Sequence, residues 1–168
     1  MSAFGAVWWI AGAVGTGWPI LWTYPLPFLA VLVLVGSALR ARRPVAPEPD
    51  EQGRRIGRLV GIASGVEGLA ILVAVNVLAN IGSQALTIPA IAIIVGLHFL
   101  PLAKWIPARL YYGTAVTLTG LGFIGIWISD PVLRLEVVCS GSAMTLWLTC
   151  VLGLMKKPRR EIRIGHAT

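Results

Sequence analysis

The chain has 168 residues, of which 57% are hydrophobic and 12% charged, with a net charge of +7 and a mean hydropathy of +0.81. Soluble domains carry about 25% charged residues, so this chain has too few to cover a water-facing surface and reads as an all-α polytopic integral membrane helix bundle. Its basic residues sit at the ends of apolar runs, which makes the positive charge a mark of membrane topology and not of nucleic-acid binding.

Six apolar segments follow in chain order. The first, Phe4–Trp22, contains Gly5, Gly12, Gly15 and Gly17 and ends at Trp18-Pro19. It is the segment expected to be irregular or re-entrant, which would give five spans in place of six. The second, Leu26–Leu39, is short, and Pro25 and Pro27 fit only near its beginning. A linker follows at Ala41–Gly53, held extended by Pro44, Pro47 and Pro49. The third segment is Leu59–Ile81. The fourth, Ile88–Ala103, opens with Pro89 in a position suited to a first helical turn. Leu110–Ser129 and Val132–Met155 complete the set, before a basic tail at residues 156–168. A spanning helix needs about 17–25 apolar residues, a length the third, fifth and sixth segments meet comfortably.

Lys and Arg occupy every second connection: Arg40 to Arg58, then Lys104 and Arg109, then Lys156 to Arg163. The intervening links carry none, and this asymmetry sets orientation. Linker and tail are therefore expected to be cytoplasmic, as are both termini, with the whole chain forming one transmembrane domain in a plasma (inner) membrane. The basic tail is expected to touch anionic lipid headgroups.

Glu67 is a carboxyl inside an apolar run, where charged groups cost about 2.5–3.5 kcal/mol on insertion scales, so it needs a partner or a purpose. His98 is the candidate partner. Glu67 follows Arg58 by nine residues and His98 precedes Lys104 by six, or about 13 Å and 9 Å of helical rise from the same basic face. Ordinary values of about 4.3 and 6.5 let such a pair exchange a proton within cellular pH shifts. The competing reading is a single interhelical hydrogen bond, worth about 0.6 kcal/mol in membranes. Ser64, one turn before Glu67, is a further candidate partner. Pro101, three residues after His98, removes the bond to the Leu97 carbonyl and leaves a polar niche beside the imidazole.

Gly57, Gly61 and Gly65 recur every four residues and predict a helix face closely packed against another backbone, in this chain or in a second copy. Asp130, Arg134 and Glu136 gather at the start of the sixth segment. Asp130 and Arg134 have the spacing of a same-face ion pair, and the three form either an outer mouth or an interfacial anchor. Trp8 and Trp9 are expected in an aromatic belt. Cys139 and Cys150 lie eleven residues apart, about 16 Å along a helix, too far to bridge.

No phosphate-cradling glycine loop, His/Cys ligand set or Ser–His–Asp combination occurs. No cofactor, metal or catalytic residue is therefore expected, and no motif argues for an enzyme. The function expected is that of a small transporter or channel-like protein, coupling an unknown small solute or a proton at Glu67 and His98. One alternative is a structural or regulatory subunit whose polar groups only hold helices together, and another a lipid- or quinone-linked enzyme. A water-filled cavity at the pair would favour transport, a dry packed pair a scaffold, and a slot open sideways to lipid a lipid-binding or enzymatic role.

Overall fold

The computed structural model describes residues 2–17, 25–41, 51–105 and 109–155. Among these, the chain forms α1 (Ser2–Thr16), α2 (Pro25–Ala41), α3 (Glu51–Asn80), α4 (Thr87–Trp105), α5 (Leu110–Trp127) and α6 (Pro131–Met155), with a single 3-10 turn at Gln84–Leu86. No strand occurs among the described residues. The tail and most of the Ala41–Gly53 linker lie outside them.

Four helices, α3 to α6, are long and apolar enough to cross a membrane. At 15 residues, α1 rises only about 22 Å, short of a hydrocarbon core of about 30 Å. Residues 18–24, where the first segment was expected to turn irregular, lie outside the described residues. Within α1 the backbone is continuous helix, and its glycines have a packing role. A Cβ on Gly5 would lie 2.6 Å from Nε1 of Trp147, and one on Gly12 would lie 2.6 Å from the Cβ of Cys139. The glycines thus bring α1 onto α6 at a separation no side chain would permit.

α6 is the centre of the bundle, touched by α1, α2, α4 and α5. Val138, Cys139, Ala143 and Leu146 on it are fully buried, as are Val95 of α4 and Leu118 of α5. Trp8 and Trp9 belong to this core and not to an interfacial belt. Trp9 packs on Trp147 with ring centroids 5.8 Å apart, because the neighbouring glycines leave room for the rings. Trp127, by contrast, is exposed at the end of α5.

α4 and α5 form the closest pair. A Cβ on Gly96 would lie 2.6 Å from the backbone nitrogen of Thr119, and one on Gly122 would lie 2.7 Å from the carbonyl oxygen of Pro89. Between α5 and α6 the buried hydroxyls of Thr114 and Thr149 meet at 2.7 Å. Thr149 gives its proton to the Thr145 carbonyl at 2.8 Å, leaving the Thr114 proton for Thr149.

α3 stands at the edge and packs chiefly along α4, through half-buried Ala63 and Ile71. It ends in a Schellman turn: Ser83 N–H donates to the Leu78 carbonyl at 2.8 Å and Gly82 N–H to that of Ala79 at 3.2 Å. Gly82 occupies the left-handed position, with φ of 70°, which is why a glycine stands there.

Candidate functional site

Glu67 projects from the middle of α3 and His98 from the second half of α4, and the antiparallel packing of these helices brings them together. Nδ1 of His98 lies 3.6 Å from Oε2 of Glu67. This is an electrostatic contact somewhat longer than a hydrogen bond, and a shift of about half an ångström would close it into one. The imidazole is 10% exposed and the carboxyl 15%, so the pair is largely withdrawn from its surroundings yet open along one side.

That open side is a groove of about 440 Å³ between the two helices. Ala63, Val66 and Ala70 of α3 form one wall, and Ile94, Leu97 and Pro101 of α4 form the other. Trp105 stands at the end nearest the basic connection. The pair faces into this groove from opposite walls and supplies its only titratable groups among the described residues. Pro101 lies inside α4, where it has no N–H to offer the Leu97 carbonyl one turn back. The polar niche beside His98 therefore opens onto the same groove.

Ser64, one turn before Glu67 on α3, is exposed and, among the described residues, makes no hydrogen bond to Glu67. The glycine stripe, expected to pack on another backbone of this chain or of a second copy, has no such neighbour among the described residues. Nothing lies within 4 Å of a Cβ built on Gly57, Gly61, Gly65 or Gly68, so no helix among the described residues packs closely there. The physical reason is direction: α4 lies against the Ala63, Glu67 and Ala70 face, and the stripe looks the other way.

Asp130, Arg134 and Glu136 are engaged separately. Asp130 caps α6, its Oδ1 accepting the Leu133 N–H at 2.7 Å, with Pro131 at the first helical position. Arg134 forms no ion pair with Asp130 among the described residues. Its Nη2 donates to the Ile128 carbonyl at 2.6 Å and its Nη1 to the Ala85 carbonyl at 3.0 Å, so it staples two turns. Glu136 borders a separate space of about 10 Å³ between α1 and α6, beside Trp9, Thr16 and Ser140. That space is about one water in size.

Two features escaped the sequence reading. Gly5 and Gly12 are seven residues apart, two helical turns on one face, a spacing that signals packing as readily as irregularity. Thr114 and Thr149 gave no signal, because hydroxyls in apolar helices usually bond their own backbone.

Four apolar helices of spanning length around a filled core make the chain a small polytopic membrane protein. No protein-family model, curated protein or solved structure matches it.

Proposed function

We propose that this protein is a transporter in which Glu67 and His98 couple the passage of a solute to that of a proton. The observation that carries this reading is the 3.6 Å approach of the two side chains inside an open groove. Keeping a carboxyl in a spanning helix costs a few kcal/mol, whereas a purely structural tie returns about 0.6 kcal/mol. The groove also offers space that a tie does not need. Because the axis of the bundle is filled by Val95, Leu118, Val138 and Leu146, the reading is of a carrier and not of a pore.

In this reading α1 and α2 are short spans that complete six crossings of a plasma (inner) membrane. Both termini and the basic connections then face the cytoplasm, where Arg54, Arg55 and Arg58 at the exposed start of α3 meet anionic headgroups.

The test uses proteoliposomes carrying an internal pH-sensitive dye. Addition of a transported solute should collapse an imposed pH gradient with the wild-type protein, and should fail to do so with Glu67→Gln or His98→Ala. Equal collapse in all three proteins would overturn the assignment.

A further inference from the structure

The groove lies between α3 and α4, on the outside of the bundle, and its walls apart from the pair are apolar. Its volume of about 440 Å³ falls within the range of roughly 300–1,000 Å³ that holds compact organic ligands. Since α3 and α4 are both long enough to span, a slot on their outer side opens to lipid tails and not to water.

Charge then selects the ligand. The pair can hold a single proton between imidazole and carboxylate with no net charge, or lose it and carry one negative charge. Either neutral arrangement is tolerable in a low-dielectric groove, whereas an isolated carboxylate is not. A cation arriving as the proton leaves keeps the buried charge at zero. An anion would require the imidazole and the carboxyl both to be protonated.

From α4, the helix packed on this stretch of α3, His98 is the titratable side chain that meets Glu67. Lys104 stands six residues beyond it, and Arg58 lies nine residues before Glu67 on α3 itself. These two exposed cations repel a like charge at the basic end of the groove. A cation therefore reaches Glu67 more easily from the bilayer side, past the apolar walls formed by Val66 and Leu97.

We propose that the α3/α4 groove binds a lipophilic organic cation that enters sideways from the bilayer and exchanges for the proton held by Glu67 and His98. The step breaks the bond between the proton and the pair and delivers that proton to water at the basic end of the groove, beside exposed Lys104, while the cation becomes the counter-charge of the Glu67 carboxylate. The proposal rests on the coupling reading above and names its substrate class.

The experiment measures binding of tetraphenylphosphonium, which has no proton of its own, to the full-length protein in detergent by calorimetry in two buffers of different ionisation heat. Affinity should rise by up to about tenfold per pH unit while the pair still holds its proton, with about one proton released per cation bound. Glu67→Gln should abolish the release and weaken binding at least about tenfold, the loss of one buried charge partner. Ile94→Trp, which fills the groove and leaves Glu67 in place, should block binding and so guards against a Glu67 variant that fails to fold. Binding that is independent of pH, or equally tight binding of neutral triphenylphosphine oxide, would overturn the substrate class. The His98 ring titration, followed by NMR in a His166→Gln background, separates the two failures. If that titration shifts on Glu67→Gln while no cation binds, the coupled pair stands and the cation proposal falls; if it does not shift, both fall.

Discussion

Gly96 of α4 and Thr119 of α5 are in backbone contact: a Cβ on residue 96 would lie 2.6 Å from the Thr119 nitrogen. Neither backbone can retreat without separating the two most closely joined helices of the bundle. Gly96→Val should therefore lower stability by about 1–3 kcal/mol, the usual cost of overpacking. Gly61→Val, with open space at its Cβ, should change it little in a dispersed monomer. Thermal unfolding in detergent compares the two. A comparable loss at Gly61 would mean that a second copy covers the stripe.

Gly82 offers the opposite test, since nothing crowds it and its φ of 70° is the constraint. Gly82→Ala should cost about 1–2 kcal/mol through the left-handed backbone alone. The same melting assay reads it, and an unchanged midpoint would show that the turn relaxes to another geometry.

Arg134 ties the turn at Ala85 to the one at Ile128 through three N–H donors. Arg134→Met keeps the aliphatic stem and removes the tie, which should cost about 1.5–3 kcal/mol, as for hydrogen bonds to a charged group. Hydrogen exchange should quicken at the Leu86 amide, whose bond to Ser83 closes that turn. Exchange unchanged at Leu86 would mean the staple is dispensable.

The hydroxyl contact between Thr114 and Thr149 should show a coupling of about 0.6 kcal/mol in a double-mutant cycle with Thr114→Val and Thr149→Val. The effect is small because Thr114 keeps a fallback: its hydroxyl also lies 3.2 Å from the Leu110 carbonyl. Unfolding free energies of the four proteins give the value, and additive losses would deny any coupling.

The meeting of Glu67 and His98 was legible because helical rise is uniform: counting from Arg58 and from Lys104 puts both residues at comparable depth. The apolar cores of α3 to α6 were legible for a similar reason, whereas α3 begins at Glu51, eight residues before the apolar run that starts at Leu59. What faces a helix is another matter. The four-residue spacing of Gly57, Gly61 and Gly65 defines a face but not its neighbour. The same residue type at Gly5 and Gly12, read as irregularity, proved to be the contact with α6. Asp130 and Arg134 show a comparable limit. Their spacing suits an ion pair, yet the carbonyls of Ile128 and Ala85 come within reach once the chain has folded back and take three N–H donors of the guanidinium, while the Asp130 carboxylate caps the helix.

The groove has unequal walls. α4 is locked into the core by Gly96, Val95 and Phe99, while α3 has open space along most of its circumference and rests on α4 alone for most of its support. Any widening to admit a molecule must therefore be a swing of α3, and such a swing stretches the contact between Glu67 and His98. In the proposed carrier the pair is thus a latch as well as a site, and its separation would measure how far α3 has swung.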